Sequence, residues 1–498
     1  IRQERFANVI GRYKDKDGNE HEIRMDDEKV IKMINDLRTE TVFQFETEVQ
    51  RGILSNKIRD YYDLQVFNAL GHPGPMQMIP DYVKRRDDKD KLWLSEEHPE
   101  MAKLFAETYG IIVYQEQLQE AWQKFAGFTS PEAEAARKAV AKKWKDKLKP
   151  VEIQWMKGAT KILGEKWAKI YWDRMIDFGR YAFNKSHSTC YAFVAYQTAY
   201  LKAHYPGEYM SAVLNNAGSI EKITFFMEEC KRMGIKVLGP DINESLNGFA
   251  VNQKGEIRFG LGGLKGVGEA AIETIITERE KGGPFPTIFD FIKRVISRSV
   301  NKKSLESLAY SGAFDCFTDF HRAQYFKIPD GERVSGLEKI INYGQALQSL
   351  SAGSTNTLFG DLSSAMQVPV PKLTKTEPWT LTELLEFEKD VTGMFMSGHP
   401  LDHFKFELRY YGITNIADFN EIKETLHIQP NPGRAIKVAG LIIDVQHRVT
   451  KTGKNFGSFA IEDFSGKTEF VLWSEDYIKF QNYLEKGQNV LLNGFFRP

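Results

Sequence analysis

The chain has 498 residues, of which 42% are hydrophobic and 27% charged, so it should fold into about three or four globular domains. Lysine plus arginine equals aspartate plus glutamate at 67 each, so any surface for a polyanion must be local. Three widely spaced cysteines, with no CxxC or HExxH motif, argue against a disulfide framework or a zinc site and predict a reducing, cytoplasmic location. No long apolar run or signal-peptide pattern occurs, so no membrane partner is expected.

The first region, residues 1–40, contains the polar stretch GRYKDKDGNEHEIR. Asp17 and Gly18 indicate a hairpin turn between two short strands. Asp15 and Asp17 could also be read as a pair of metal-binding carboxylates, but the turn is the favoured interpretation. Because the sequence begins with Ile1 rather than Met, we expect an N-terminal portion to precede it.

Residues 41–215 have a mostly helical pattern, and the segment ARKAVAKKWKDKLK at 136–149 carries seven cations against one acidic residue, Asp146. The spacing of the lysines at 138, 142, 145 and 149 predicts four ammonium groups along one helix face. Such a stripe repels itself, which favours a bound polyphosphate, and a simply solvated surface is the alternative.

The segment FNKSHS at 183–188 places polar residues at the start of an apolar helix that should end at the Tyr-Pro pair at 205–206. Ser186 or Ser188 is expected to cap this helix. The unpaired N–H groups and partial positive charge of the first turn, with Lys185 beside them, suit a phosphate. The alternative is that the polar residues only cap the helix and that its histidine is a half-buried structural residue.

Residues 216–345 alternate short helices with glycine-rich turns. In the sequence GLKGVG, Gly266 and Gly268 flank Val267 immediately before the helical pattern EAAIETIITER. Glycines at these positions let backbone N–H groups approach a DNA phosphate while the valine anchors the hairpin. This pattern is typical of a helix-hairpin-helix.

The stretch at 351–365 is small and polar around one Leu-Phe pair and predicts an exposed loop or linker. From Ala435 onward, alternating apolar and polar residues separated by turns predict a small β-barrel. Aromatic residues on this barrel could stack on single-stranded bases, although core packing is the default explanation for Phe456, Phe459, Phe464 and Trp473.

Taken together, these segments resemble the C-terminal half of the bacterial DNA polymerase III alpha subunit, a DnaE-type, family C polymerase. The matching motifs are TVFQFE, HPGPM, YGIIVYQEQ, YAFNKSHSTCYAFVAYQTAYLKAHYP, GPDINES, IRFGLGGLKGVGE, LESLAYSGAFD and LLEFEKDVTGMFMSGHPL.

The resemblance implies a multidomain, mainly α fold with a truncated C-terminal β-barrel of the OB-fold type. The implied divisions are a palm–fingers connector remnant at 1–30, fingers at 31–215, tandem helix-hairpin-helix at 216–345, a clamp-binding loop or linker at 346–370, a helical connector at 371–430 and an incomplete OB-fold at 431–498.

The resemblance also assigns contacts to particular residues. Nucleotide and phosphate contacts would come from Arg137, Lys138, Lys142, Lys143, Asn184, Lys185, Ser186 and His187. A fingers loop would be formed by His72, Pro73, Gly74, Gln115 and Glu116. Duplex DNA would be bound by Lys265, Gly266, Val267 and Gly268. A sliding clamp would be bound by Thr355, Leu358 and Phe359.

Three positions depart from the usual pattern of the family. His72 stands where an arginine is usual, and the sequence VAKKW at 140–144 replaces a Met-Gly-Lys-Lys-Lys run. An imidazole or an indole does not replace the charge that a triphosphate prefers, so the nucleotide site should be less cationic. Thr355 stands where glutamine is expected, which predicts weaker clamp binding.

The implied function is template-directed DNA synthesis by the complete subunit, a DNA-directed DNA polymerase. The aspartates that bind Mg2+ in the palm would lie upstream of this chain, so no catalytic or metal-binding residue is assigned within it, and the chain alone should be inactive. Expected partners are primed DNA, dNTPs, the sliding clamp, and clamp loader and proofreading subunits. The alternative is a non-catalytic DNA-binding module or a decayed polymerase.

Overall fold

The computed structural model describes residues 9–15, 17–72, 74–179, 181–296, 299–354, 368–425, 435–450, 453 and 455–495. The chain divides into two compact units, Ile1–Tyr209 and Met210–Pro498. Over the described ranges, no helix is both long and apolar enough to cross a membrane.

The first unit opens with an antiparallel hairpin of β1 (Val9–Lys14) and β2 (Glu20–Arg24). The Asp15 carboxylate accepts hydrogen bonds from the backbone N–H groups of Asp17 and Asn19, which confirms the predicted turn. The helices that follow are α1 (Glu28–Asn35), α2 (Glu48–Leu54), α3 (Tyr61–Leu70), α4 (Ile79–Asp87), α5 (Pro99–Leu104), α6 (Gln115–Ala126), α7 (Ser130–Ala141), α8 (Lys145–Leu163), α9 (Glu165–Phe178), α10 (Lys185–His204) and α11 (Pro206–Asn215).

Two apolar cores hold the first unit together. In one, the small buried residues Ala192, Ala195 and Ala199 of α10 share a core with α3, and their spacing places them on one helix face. In the other, Trp122 of α6 and Trp155 of α8 are fully buried among residues of α6 to α9. Together these cores fix the positions at which α6 and α10 begin.

The prediction of a single helix face across 138–149 is wrong. Helix α7 ends at Ala141, Lys143 has a left-handed backbone with φ of 54°, and α8 begins at Lys145. The buried stripe of α7 ends at Val140, and Trp155 is the first residue of α8 to be buried. Helices in proteins are stabilised mainly by packing, and no side chain between Val140 and Trp155 is buried. A single continuous helix through this segment therefore has no apolar contact to stabilise it.

The second unit is helical except for two sheets. Its helices are α12 (Ile220–Arg232), α13 (Glu269–Gly282), α14 (Ile288–Val295), α15 (Lys302–Tyr310), α16 (Arg322–Phe326), α17 (Gly336–Ser354), α18 (Leu381–Thr392), α19 (Lys405–Tyr410), α20 (Ile416–Thr425) and α21 (Ser474–Phe480). A small three-stranded sheet contains β3 (Val237–Leu238), β4 (Ala250–Val251) and β5 (Ile257–Arg258).

The C-terminal part of this unit is a four-stranded antiparallel sheet in the order β8–β7–β6–β9. Its strands are β6 (Ala435–Val449), β7 (Asn455–Glu462), β8 (Lys467–Trp473) and β9 (Asn489–Phe495). A register shift between Ile442 and Asp444 lets the long β6 pair with both neighbours. The predicted fold class, mainly helical with a C-terminal antiparallel β-domain, is confirmed.

Candidate functional site

The start of α10 lies beside the start of α6 because the two preceding segments pair through their backbones. The Phe183 N–H donates to the Val113 carbonyl at 3.0 Å, and the Gln115 N–H donates to the Phe183 carbonyl at 2.9 Å. Tyr114 and Phe183 form an isolated parallel bridge. Two helix N-termini, each with a partial positive charge, therefore meet at one place, which we call the α10 entrance.

Asn184 caps α10, so the predicted serine cap is wrong. The Asn184 side chain accepts a hydrogen bond from the His187 N–H at 2.8 Å, and its backbone is extended, as at most N-caps. Ser188 is not the cap because it lies within α10, three residues after Lys185, and its hydroxyl donates to the buried Gln65 carbonyl at 2.6 Å. Ser186 is exposed. The predicted end of α10 at Tyr205 is confirmed.

Protein carboxylates bind the donors of the α10 entrance. The Glu116 carboxylate accepts from the Asn184 side-chain amide and from the Lys185 N–H, both at 2.9 Å. The Lys185 Nζ donates to both oxygens of Glu107, at 2.7 and 2.8 Å. In this structure, glutamate carboxylates therefore occupy the position that the sequence predicts to bind a phosphate.

The two cations at the end of α7 are also paired. Arg137 binds both oxygens of Glu134 through Nε and Nη2, at 2.7 and 2.8 Å, and Lys138 approaches the same carboxylate at 3.3 Å. The hydrogen bond from Arg137 is the largest cause that lowers the pKa of Glu134 to about 2. Glu134 in turn raises the pKa of Arg137, and the charge of Glu116 makes a smaller contribution in the same direction. Because Glu116 is part of the α10 entrance, Arg137 interacts electrostatically with that site.

A column of aromatic rings runs along the same part of the first unit. Ring centroids are separated by 4.7 Å between His72 and Phe183, 5.4 Å between Phe183 and His187, and 4.2 Å between His187 and Tyr191. Phe43 extends the column, 5.5 Å from Tyr191. His72 and His187 are exposed, so this aromatic column presents ring surface to solvent.

The residues predicted to form a fingers loop are brought to the α10 entrance. Gly74 has φ of 107°, and a Cβ there would lie 2.5 Å from the Tyr181 ring, so only glycine fits. The Gln115 side chain donates to the Ala182 carbonyl at 2.8 Å. Pro73 lies outside the described residues.

Lys142 and Lys143 are exposed and lie on the turn between α7 and α8. The spacing rule that grouped them with Lys138 assumed a continuous helix, and the break at Lys143 removes that relationship. The structure thus brings Asn184, Lys185 and His187 together at the α10 entrance, and Arg137 is linked to the entrance through Glu116.

The glycine hairpin in the second unit lies at the start of α13. Val267 is buried in the main core, while Lys265, Gly266 and Gly268 are exposed. Gly266 has φ of 90°, and a Cβ there would lie 2.7 Å from the Ser307 hydroxyl. A Cβ at Gly268 would meet no protein atom within 4 Å, so packing within the protein does not require glycine there.

The second glycine turn of this region differs from the first. Gly312 is buried, and a Cβ there would collide with the guanidinium of Arg322. Arg322 is itself held by Asp315 and by the buried Glu388, at 2.6 and 2.7 Å. The backbone of this turn is therefore covered by protein, and only the hairpin at 265–268 exposes its glycines.

Sequence reasoning missed the roles of Glu107 and Glu134 as anionic partners. Glu134 could have been found, because a glutamate three residues before Arg137 on a helix can reach it. Glu107 could not, because its contact with Lys185 joins residues 78 positions apart in sequence.

Thr355, Leu358 and Phe359 lie outside the described residues.

Among the residues that the structure does describe, no group of three or more histidine, cysteine, aspartate or glutamate side chains could hold a metal ion. Asp88 accepts the N–H groups of Asp90 and Trp93, as expected for a turn residue.

Comparisons with known proteins agree with the motifs. The model of the bacterial DNA polymerase III alpha subunit finger domain matches residues 4–162, and a helix-hairpin-helix model matches residues 234–325. The chain is similar to "DNA polymerase III subunit alpha" of Vibrio cholerae, at 34% identity over 95% of this chain, of Borreliella burgdorferi, at 35% over 93%, and of Escherichia coli K12, at 33% over 95%. It spans 39 to 40% of the length of these relatives.

Proposed function

This chain is a relative of bacterial DNA polymerase III alpha subunits along nearly all of its length. From this premise, we propose that it belongs to a DNA-directed DNA polymerase. In this proposal the chain supplies contacts to the incoming nucleotide, the template and the duplex during DNA replication in the cytoplasm. The relatives support a part in a replicative polymerase, and the described residues suggest which contacts it makes.

The observation that carries the proposal is the α10 entrance. Carboxylate and phosphate oxygens accept the same hydrogen bonds, so the positions of Glu107 and Glu116 indicate where phosphate oxygens of a nucleotide would bind. A triphosphate would replace these glutamates on the Lys185 ammonium and on the N–H groups at the start of α10. Arg137 is placed to join them once Glu134 releases it.

The aromatic column supports the second part of the proposal. Nucleobases stack on exposed aromatic rings, and the tilted rings from His72 to Tyr191 include the exposed His72 and His187. A nucleotide held by its phosphates at the α10 entrance would have its base or the template base near these rings. The same helix would then contribute both phosphate and base contacts.

The hairpin at 265–268 is proposed to bind the backbone of duplex DNA. The N–H groups at the start of α13 can meet a phosphate, and the absence of a side chain at Gly268 leaves room for the sugar–phosphate backbone to approach. Lys265 adds a cation next to the same turn. These contacts carry no base specificity, as is required of an enzyme that copies any sequence.

Catalysis would need Mg2+ held by carboxylates, which would activate the primer hydroxyl and stabilise the leaving pyrophosphate. The described residues offer no carboxylate cluster suited to it. We propose that those carboxylates lie in the part of the relatives' length that this chain does not span. A sliding clamp, a clamp loader and a proofreading subunit remain proposed partners.

The decisive experiment uses this chain as it stands with a primed DNA template. We expect salt-sensitive binding, with log K falling by about 0.9 per neutralised duplex phosphate against log salt, and no primer extension with magnesium and dNTPs. Extension by this chain alone would contradict the assignment of catalysis elsewhere. Absence of DNA binding at low salt would contradict the whole proposal, including the alternative of a non-catalytic DNA-binding module.

The clamp contact can be tested separately with a synthetic peptide that covers residues 351–362. The peptide has an apolar Leu-Phe pair among small polar residues, as expected of a segment that inserts into a hydrophobic pocket. We expect weak binding to the sliding clamp of the same organism by fluorescence polarisation, loss of binding with Phe359→Ala, and tighter binding with Thr355→Gln. No binding by either the native or the Thr355→Gln peptide would exclude this segment.

A further inference from the structure

The exposed segment at residues 142–149, which joins α7 to α8 and includes the first five residues of α8, has an unusual composition, and we call it the lysine turn. Its sequence KKWKDKLK contains five lysines and one aspartate. Every residue of the turn except Leu148 is exposed. Among the described residues, none of these five lysines forms an ion pair, in contrast to Lys138 on the preceding helix, which pairs with Glu134.

Trp144 lies at the centre of the lysine turn with 40% of its surface exposed. The Nζ atoms of Lys142 and Lys147 lie 4.8 and 4.2 Å from the centroid of its ring. Trp144 is not a member of the buried core that contains Trp122 and Trp155, and a substantial part of its ring faces solvent among lysines that form no ion pair in the described ranges. Its position therefore calls for a function outside the packing of the unit.

We infer that the lysine turn binds unpaired, single-stranded nucleic acid, with the lysines on phosphates and Trp144 stacked on one base. Exposed cation–π contacts are weak, so Lys142 and Lys147 can leave the ring for phosphate oxygens and uncover its face. A positively charged track with an aromatic ring is the usual arrangement for binding a single strand. In a duplex the bases are already stacked on one another, so the indole gains no partner there.

Trp144 interrupts the run of lysines, so the lysine turn offers one aromatic ring for a base among its cations. The inference rests on the proposed function, because it takes DNA as the polyanion and an unpaired template strand as its source. An anionic membrane is the other surface that a tryptophan among lysines can meet, but such binding needs an apolar stripe that this turn lacks.

The test measures the affinity of the full chain for a fluorescent 12-mer of thymidine and for a matched 12-mer with abasic sites, by anisotropy over a series of salt concentrations. Trp144→Ala should weaken binding to the thymidine strand by at least about fivefold at every salt concentration, because a stacked base contributes without neutralising charge. Trp144→Phe should retain most of the affinity. On the abasic strand, Trp144→Ala should change nothing.

A matched variant separates stacking from charge. Lys145→Ala should reduce the slope of log K against log salt by about 0.7 on both strands, the contribution of one phosphate of a single strand, while Trp144→Ala should leave the slope unchanged. Ile153→Ala removes another exposed apolar side chain of α8 and should change neither affinity nor slope.

Three results would overturn the inference. In the first, Trp144→Ala weakens binding to the thymidine and abasic strands equally. In the second, Trp144→Ala changes the slope of log K against log salt. In the third, Trp144 is required for binding to vesicles of phosphatidylserine and phosphatidylcholine but has no effect on binding to either strand. Complete absence of DNA binding would instead defeat the proposed function, so the two failures are distinguishable. Circular dichroism of each variant at 25 °C checks that it remains folded.

Discussion

The α10 entrance and the hairpin at 265–268 are both candidate phosphate sites at helix N-termini, yet they differ in what occupies them. At the α10 entrance, Lys185 and the capping Asn184 are bound by Glu107 and Glu116. At the hairpin, Lys265, Gly266 and Gly268 are exposed, and a Cβ at Gly268 would meet no protein atom within 4 Å. One site is filled by the protein's own carboxylates and the other is open.

The difference has a consequence for how each site binds. At the α10 entrance a phosphate must displace two glutamates, so the measured affinity is the difference between two sets of similar hydrogen bonds. At the hairpin nothing has to be displaced, and binding follows the electrostatics of the backbone directly. The first arrangement favours selectivity for a strongly charged ligand such as a triphosphate, and the second favours contact with DNA of any sequence.

The largest effect is expected from Gly266→Ala in the hairpin. Its φ of 90° is unfavourable for alanine, and the new Cβ would lie 2.7 Å from the Ser307 hydroxyl. We expect the unfolding free energy of the second unit to fall by about 2 kcal/mol, measured by urea denaturation, together with weaker duplex binding. An unchanged urea midpoint would show that the hairpin backbone can relax.

Gly268→Ala is the matched control for that variant. Its φ of −80° suits any residue, and no protein atom lies near the added carbon, so stability should change by less than about 1 kcal/mol, the usual cost of alanine at an N-cap. Duplex affinity should nevertheless fall, because the methyl group obstructs the approach of the DNA backbone. Unchanged duplex affinity in this folded variant would remove the hairpin as a phosphate site.

Lys185→Ala tests the occupied site. In a polymerase that contains this chain, the variant should raise the apparent KM for dNTPs or lower kcat/KM by about tenfold, equivalent to about 1.4 kcal/mol of lost charge-assisted contact. Thermal stability should change little because the Lys185–Glu107 pair is partly exposed. Lys169→Ala removes another partly exposed lysine of an ion pair and serves as the control. A loss of stability with unchanged nucleotide dependence would favour a capping role alone.

Glu116→Gln should strengthen the binding of an anion at the α10 entrance, whereas Lys185→Ala should weaken it. The amide oxygen can still accept the Lys185 N–H, but it carries no charge, so it should compete less well with an anion. We expect the affinity of the chain for tripolyphosphate, measured by isothermal titration calorimetry, to rise by about threefold, corresponding to a change of less than 1 kcal/mol. Lower affinity would mean that Glu116 organises the site rather than occupying it.

The sequence predicted those features that depend on neighbouring residues. The turn at Asp17 and the end of α10 before Pro206 are fixed by local backbone chemistry, and both were confirmed. The break at Lys143 depends on where burial ends on α7, which no spacing rule reveals. The cap on α10 depends on the helix beginning directly after Phe183, which pairs with Val113 and Gln115 about 70 positions earlier in the sequence.

At the candidate site, too, the sequence did not predict contacts between residues that are far apart along the chain. The motif FNKSHS indicated an anion site at the start of α10, and the structure places donors and anionic partners there. The identity of the occupying anions could not be predicted, because Glu107 and Glu116 reach the site only after α6 and α10 are brought together by the pairing of Tyr114 with Phe183. A count of charges along the chain does not reveal which cations form ion pairs in the folded protein.

The smallest effect concerns Glu134, the third glutamate near the α10 entrance, and it depends on pH. The pKa of Glu134 is lowered to about 2, with Arg137 as the largest cause, so its ionised form stabilises the folded state. The sign follows from linkage: the contribution is present above the ordinary glutamate pKa of about 4.3 and is lost as the pH falls toward 2. Because about a third of the side chain is exposed, the contribution should be below about 1 kcal/mol.

We therefore expect Glu134→Gln to be less stable than the unmodified chain at pH 6 and the difference to fall to about half at pH 3, as measured by urea denaturation at both pH values. In an Arg137→Ala background the same substitution should show little dependence on pH, because the main cause of the lowered pKa is then gone. A stability difference that stays constant from pH 6 to pH 3 would mean that Glu134 does not hold Arg137 through its charge. In that case Arg137 would be available to a phosphate without competition, and the α10 entrance would be more like the open hairpin than the pairing of its cations indicates.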